Sequence, residues 1–176
     1  LICTGNHDYG YLRAENSMTR FPEFFNVSRN FTQWDKTLVA NTINRNGQQT
    51  LENAAMEISD SAWGKILIVA LEFAPRDEVI EWAKNLVDSE RFKDHKVILL
   101  THAYITGYDA RRYESVGYKL QDVNSGEQIW QKLVYPAKNI VMVLCGHYAV
   151  PNERYDYPTG FRTDKNSAGR DVHQMM

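Results

Sequence analysis

The sequence predicts an α/β fold, because three patterns typical of buried strands are separated by two patterns typical of helices. Residues 65–73, 96–100 and 140–145 form short, continuous apolar runs. Such runs are expected for strands that are covered on both faces. An amphipathic helical spacing lies between each pair of successive runs. This alternation favours a largely parallel sheet flanked by helices.

The two helices are predicted from local signals. Pro75 and the acidic residues that follow it suit a first helical turn, and an apolar stripe with 3-4 spacing continues to Val87. Ser125 is a candidate cap for a second helix over residues 126–135. The remaining segments are predicted to be a strand ending within residues 1–4, a long and partly helical surface excursion over 11–49, a weak strand over 50–59, a turn-rich stretch over 151–169, and a last strand that begins near residue 170.

Composition excludes several classes of protein. Among the 176 residues, 20 Lys and Arg face 22 Asp and Glu, so the formal net charge is −2. This balance lacks the basic signature of nucleic-acid binding, and we predict no nucleic-acid partner. Contents of 43% hydrophobic and 12% aromatic residues exclude a disordered chain. The longest apolar stretch, residues 66–71, is far shorter than the roughly 20 residues that span a bilayer.

The two ends of the sequence are typical of interrupted strands. Residues 1–4 resemble the tail of a buried strand without an initiator methionine, and residues 171–176 resemble a strand cut before its end. We therefore expect one domain over residues 1–176 that is incomplete at the N-terminus. Cys3 and Cys145 each end an apolar run just before a glycine, and we favour small packing residues over a disulfide or a metal role.

Polar side chains follow the predicted strands at their carboxyl ends. Asn6 and His7 lie in a turn after the first strand, and His102 and His147 each follow a buried run directly. Adjacent strands lie about 4.8 Å apart, so two such histidines can reach one ion. The amide oxygen of Asn6 can join them as a neutral ligand, while His7 is free to donate a proton. Asp8 could fix the His7 tautomer through a hydrogen bond.

These motifs resemble those of a known family. Gly5-Asn6-His7-Asp8, then Thr101-His102, then Cys145-Gly146-His147 occur in the order of the C-terminal motifs of calcineurin-like metallophosphoesterases. Residues 71–77 (LEFAPRD) and 126–130 (GEQIW) also resemble segments of bacterial members. The resemblance implies a layered sandwich of mixed β-sheets flanked by helices. This chain would be the C-terminal portion of such a catalytic domain.

The resemblance implies a metal-dependent phosphoester hydrolase, a phosphomonoesterase or phosphodiesterase in which a metal-activated water attacks phosphorus. Two divalent ions (Mn, Fe, Zn or Mg) would be bound in the intact protein, and the substrate would be a small phosphoester. Asn6, His102 and His147 would be ligands of the second metal. Asn6 and His7 would also contact the substrate. His7 and Asp8 would be catalytic, with Asp8 orienting His7.

Two departures from the family pattern limit what this chain can do. The motifs Asp-x-His and Gly-Asp-x-x-Asp, which precede the Asn-His motif in the family and supply most ligands of the first metal, are absent ahead of Asn6 in this sequence. The usual Gly-His-x-His motif is Gly146-His147-Tyr148-Ala149, and alanine has no donor atom. We therefore expect the isolated chain to bind metal weakly and to be almost inactive.

The loop after His102 contains further candidates. Tyr104 and Arg111 are predicted to line a substrate pocket, because arginine binds phosphate in a forked geometry and tyrosine stacks on rings. His95 lies in a charged segment and is predicted to be solvated surface, whereas His173 is predicted to be a packing residue of the last strand.

Two other functions are compatible with parts of the sequence. A degenerate phosphoesterase-like module that binds a ligand or a protein without turnover is the alternative, and Ala149 favours it. A hydrolase with a Ser or Cys nucleophile is disfavoured because no G-x-S-x-G motif occurs. We favour an extracytoplasmic or secreted location over a cytoplasmic one. The oligomeric state is left open.

Overall fold

A computed structural model describes residues 1–12, 14–30, 37–106, 118–147 and 159–176, and these form a mixed α/β fold. One mixed sheet contains seven strands in the order β1-β2-β3-β4-β5-β7-β6. The strands are β1 (Leu38–Ile43), β2 (Gln49–Asp60), β3 (Gly64–Ala70), β4 (Lys96–Leu100), β5 (Ile140–Leu144), β6 (Phe161–Lys165) and β7 (Asp171–Met175). The helices are α1 (Phe21–Phe24), α2 (Asp77–Asp88) and α3 (Gly126–Ile129).

The centre of the sheet is parallel and its flanks are antiparallel. Strands β3, β4, β5 and β7 run in one direction, so their carboxyl ends share one edge of the sheet. Strands β1 and β2 extend one side and β6 the other, each as an antiparallel neighbour. The parallel arrangement predicted from the three apolar runs is confirmed, and the shared carboxyl edge is where ligands bind in α/β sheets.

Helix α2 covers one face of this sheet, as its sequence predicts. It begins at Asp77, with acidic residues in the first turn, and it buries Val79, Ile80, Ala83 and Val87. These side chains belong to the main hydrophobic core together with apolar residues of β3, β4 and β5. Burial of this stripe provides most of the stability of such a helix.

Helix α3 is capped as predicted but does not continue as an α-helix. The Ser125 hydroxyl accepts a hydrogen bond from the Gln128 backbone N–H, and the Gln128 side chain accepts one from the Ser125 N–H. This capping box satisfies two N–H groups at the start of the helix. Residues Trp130–Val134 then form a π-helical turn, in which the Tyr135 N–H donates to the carbonyl of Trp130 at 2.8 Å.

Three expectations about the peripheral segments were wrong. Residues 1–4 do not form a strand, and the neighbouring Phe73 N–H donates to the Thr4 side-chain hydroxyl at 2.9 Å rather than to a backbone carbonyl. The excursion over 11–49 contains β1, and the turn-rich stretch contains β6. Both strands lie at the ends of the sheet, where half the surface is solvated, so their sequences lack an apolar run.

No helix in the described ranges combines the length and the apolar character needed to cross a bilayer.

Candidate functional site

Three side chains far apart in the sequence meet at the carboxyl edge of the sheet. The Asn6 Oδ1 atom lies 3.1 Å from His102 Nε2 and 3.1 Å from His147 Nδ1. The two imidazole rings are 4.9 Å apart between centroids and nearly perpendicular. The structure therefore brings together the three residues that the sequence analysis selected as one ligand set.

The backbone around the strand ends fixes this convergence. His102 follows β4, His147 follows the neighbouring β5, and the Gly146 N–H donates to the His102 carbonyl at 2.9 Å. His147 has a φ of 76°, a conformation that is uncommon for a residue other than glycine. A non-glycine residue at this φ is held by its surroundings and is frequent at functional sites.

Asn6 is delivered to the same point by a tight turn. Residues Asn6–Asp8 form a 3₁₀ turn, and Asn6 is buried. The carboxylate of Asp8 accepts a hydrogen bond from the Gly5 N–H at 2.7 Å and so closes this turn. Gly5 is required here by close approach, because a Cβ atom at this position would lie 3.0 Å from the His102 ring.

Both histidines are held in the neutral form by their surroundings. Burial, with a smaller contribution from the nearby His147, lowers the pKa of His102 to about 4. Burial also lowers the pKa of His147, and His7 acts in the same direction. Each ring donates an N–H to Asn6 Oδ1 in the structure, and the opposite tautomer presents a lone pair at the same place. Neutral imidazole is the form that binds metal ions.

The donor atoms of Asn6, His102 and His147 suit a transition-metal ion better than magnesium. It contains two ring nitrogens and one amide oxygen, all neutral. Across the described ranges, no group of three or more His, Cys, Asp or Glu side chains is placed to hold a metal ion. Imidazole suits zinc and iron, whereas magnesium prefers carboxylate and carbonyl oxygens. Asn6, His102 and His147 could therefore hold a borderline transition-metal ion, but without any compensating negative charge.

The His7 ring bonds to the backbone of Leu12, and Asp8 does not hold it. The His7 Nδ1–H donates to the carbonyl of Leu12 at 2.7 Å, while the Asp8 carboxylate bonds to the Gly5 N–H. The prediction that Asp8 fixes the His7 ring was wrong. A backbone carbonyl only accepts, so Leu12 sets the tautomer and leaves Nε2 of the exposed His7 available for chemistry.

The two predicted substrate-binding residues of the loop have different outcomes. Tyr104 is fully buried among the apolar side chains of the main core, which corrects its predicted place on the wall of a pocket. Gly126, at the start of α3, packs directly against the backbone of Tyr104. Arg111 lies outside the described residues, as does Ala149.

Two features of the site were missed from the sequence. The buried Phe73 ring lies 5.8 Å from each of the His102 and His147 rings, between centroids, and closes the inner side of the cluster. Tyr118 packs against Phe73 at 5.3 Å. The signal for Phe73 was its position just after β3, at the same sheet edge as both histidines.

A buried polar network, also missed from the sequence, holds the turn that carries Asn6. The Thr4 and Tyr9 hydroxyls lie 3.0 Å apart, and Tyr9 donates to the fully buried Glu52 carboxylate at 2.9 Å. Asn44 also donates to Glu52, at 2.8 Å. Burial raises the pKa of Glu52, although these hydrogen bonds oppose the shift. The network ties both ends of the turn to β2 and thereby positions Asn6 and His7.

The remaining histidines and cysteines are structural in the described chain. His95, predicted to be solvated, is 3% exposed and its Nε2 bonds to Glu57 at 2.8 Å, so that prediction was wrong. His173 pairs with Thr163 across the β6–β7 ladder, as expected of a packing residue. Neither cysteine forms a disulfide, and burial raises the pKa of Cys3 to about 11. A thiol with such a pKa is a poor nucleophile at neutral pH.

Comparison with known proteins adds one relative. The chain is 24% identical over 178 residues to the uncharacterized protein YvnB of Bacillus subtilis (strain 168). The match covers 99% of this chain and 12% of that protein, so the chain spans about an eighth of the relative's length. No family model matches the chain. No solved structure matches it.

Proposed function

We propose that this chain is the C-terminal portion of the catalytic domain of a metal-dependent phosphoester hydrolase of the metallophosphatase type. The observation that carries the proposal is the convergence of Asn6 Oδ1, His102 Nε2 and His147 Nδ1 within hydrogen-bonding distance at the carboxyl edge of the parallel strands. The order of the three motifs along the chain, which resembles that of the calcineurin-like family, supports it.

The proposed roles follow from the donor atoms. Asn6, His102 and His147 would hold one divalent cation. Such an ion supplies positive charge to the phosphoryl oxygens and lowers the pKa of water. In the overall reaction a water oxygen forms a bond to phosphorus, the bond to the ester oxygen breaks, and the products are an alcohol and a phosphate. Neutral ligands leave the charge of the ion undiminished toward the substrate.

His7 is the proposed proton donor to the departing ester oxygen. The Leu12 carbonyl accepts a hydrogen bond from the His7 Nδ1–H whether the imidazole ring is neutral or protonated. The proton that His7 can donate is therefore the one on Nε2. General acid catalysis of this type typically contributes a factor of about 10²–10⁴ in rate. The role of Asp8 in the proposal is to close the turn through the Gly5 N–H, which makes it a positioning residue.

The proposal is tested by hydrolysis of 4-nitrophenyl phosphate and of bis(4-nitrophenyl) phosphate by the full-length protein with Mn²⁺ or Zn²⁺. We expect His147→Ala and His7→Ala each to lower kcat by at least about a hundredfold. His173→Ala is the matched control, because this exposed histidine lies on β7 away from the cluster and should leave the rate unchanged. Hydrolysis that survives His147→Ala would contradict the proposal.

A binding module without turnover is the second candidate, and Ala149 favours it because a donor is missing where the family has histidine. The same assay separates the two functions. A full-length protein that binds inorganic phosphate, in a manner lost with His147→Ala, but hydrolyses neither ester would be the degenerate module.

A further inference from the structure

We propose that the groove beside His7 binds an uncharged, ring-bearing leaving group of the phosphoester substrate, an inference that rests on the proposed hydrolase function. The groove has a volume of about 600 Å³ and extends from His7 along the segment that follows the Asn6–Asp8 turn. Its walls are formed mainly by large apolar side chains, which are Tyr11, Met18, Phe21, Phe24 and Phe25.

Three of these five side chains are largely exposed to solvent, whereas Phe21 is buried. Tyr11 is 93% exposed, Met18 62% and Phe24 59%, and Leu12 beside them is also exposed. A contiguous apolar patch of this kind usually marks a binding site. Phe21 and Phe25 form the floor, with ring centroids 4.7 Å apart, and Phe21 is anchored in a small core with Leu51 and Ala54.

The position of the groove assigns it to one part of the substrate. His7 lines the groove, and it is the residue proposed to protonate the departing oxygen. The group bonded to that oxygen therefore lies on the groove side of His7, whereas the phosphoryl group lies toward Asn6 and the two histidines of the cluster. The groove thus contacts the leaving group rather than the phosphoryl group.

The charges around the groove favour a neutral occupant. Arg20 and Glu23 at its rim form an ion pair with each other, 2.7 Å between Nη2 and Oε2. The Arg20 guanidinium also lies over the Phe24 ring, 5.6 Å from its centroid. The negatively charged Asp8 carboxylate, which accepts a hydrogen bond from the Gly5 N–H, also lines the groove and disfavours an anionic occupant. Because Arg20 is paired with Glu23, the groove offers no unpaired arginine to an anionic group, and its aromatic side chains can contact an uncharged ring.

The test compares 2-(1-naphthyl)ethyl phosphate with ethyl phosphate, because both have primary alkyl leaving groups of similar reactivity. In the full-length protein we expect kcat/KM to be at least about tenfold higher for the naphthyl ester. Phe24→Ala should remove most of this ratio. Phe161→Ala is the matched control, since Phe161 is 58% exposed but lies on β6 outside the groove. Equal values for the two esters would overturn the inference.

A binding measurement distinguishes failure of this inference from failure of the proposed function. The naphthyl fluorescence of 2-(1-naphthyl)ethyl phosphate reports its binding to residues 1–176 without turnover. Binding that weakens about tenfold in Phe24→Ala but not in Phe161→Ala supports the groove even if the full-length protein hydrolyses nothing. Hydrolysis of both esters with no naphthyl preference retains the hydrolase and rejects the groove. A dimer of this chain in sedimentation that is lost with Phe24→Ala, together with no binding of the probe, also rejects it.

Discussion

At the scale of single residues, individual side chains and carbonyl groups decide whether Asn6, His102 and His147 come together. Asn6 reaches His102 and His147 because the residue before it has no side chain and because the Asp8 carboxylate closes the turn. The His7 tautomer depends on one carbonyl, that of Leu12. Each of these dependences can be tested by one substitution.

Gly5→Ala should disturb the cluster, because its Cβ would lie 3.0–3.2 Å from three atoms of the His102 ring. We expect the free energy of unfolding to fall by about 1–3 kcal/mol as the ring is displaced. Chemical denaturation measures this change. Gly146→Ala, beside His147 but with no heavy atom of the described residues within 4 Å of the added Cβ, is the control and should change stability by less than about 0.5 kcal/mol. Equal effects of the two would contradict the packing argument.

Ionisation of Glu52 should make the free energy of unfolding depend on pH. Burial raises its pKa in the folded state, so the folded chain binds this proton more tightly than the unfolded chain does. Its contribution to stability is therefore complete below the unfolded pKa and is lost as pH rises through the folded pKa. Relative to the unsubstituted chain, Glu52→Gln should become more stable as pH rises from 4 to 7. Urea titrations across this range measure the difference, and a falling difference would show the opposite shift.

At the scale of elements, the helices position the strand ends that carry the histidines. Helix α2 buries its apolar stripe against the sheet, and α3 begins where Gly126 touches the backbone that follows His102. The segment from His102 to Ile105 is thus fixed between β4 and α3. Its place explains why Tyr104 belongs to the core instead of a binding pocket.

Gly126→Ala should be among the most damaging substitutions in the chain. The added Cβ would lie 1.9 Å from the Tyr104 carbonyl oxygen, which is backbone and cannot rotate away. We expect a loss of at least about 3 kcal/mol in the free energy of unfolding. Gln131→Ala, on the exposed side of the π-helical turn that continues α3, is the control and should cost less than about 0.5 kcal/mol. Stability of Gly126→Ala close to that of the control would show that α3 can move away from Tyr104.

At the scale of the whole molecule, the order of the strands creates the site. The neighbouring positions of β4 and β5 place His102 and His147 side by side, although 45 residues separate them in the sequence. Asn6 reaches the same edge from the start of the chain because Thr4 bonds to Phe73, just beyond β3. Because the three donors that converge there are neutral, we expect their affinity for a metal ion to be low.

Residues 1–176 alone should bind a divalent ion weakly, because their three converging donors carry no negative charge. We expect dissociation constants for Mn²⁺ and Zn²⁺ above about 10 μM by calorimetry. The residual Zn²⁺ binding should be lost in His102→Ala and retained in His173→Ala. Low-micromolar affinity that depends on His102 would mean that a donor beyond these three completes the site.

The central fold could be predicted from the sequence because its signals are local. Continuous apolar runs marked β3, β4 and β5, and the 3-4 stripe marked α2, since burial on both faces of a strand or on one face of a helix leaves a periodic pattern. Edge strands β1 and β6 carry no such pattern and were missed. The burial of His95 was also missed, because its partner Glu57 lies 38 residues away and only the fold brings them together.

The sequence by itself determined the α/β class, the strand ends that carry polar residues, and the choice of Asn6, His102 and His147 as one set. Only the tertiary structure decided that their donor atoms meet at 3.1 Å, that Leu12 and not Asp8 holds His7, and that Tyr104 is buried. The physical reason is the range of the interactions involved. Strand and helix patterns arise from neighbours within a few residues, whereas contacts across a sheet depend on strand order and register, which no local pattern encodes.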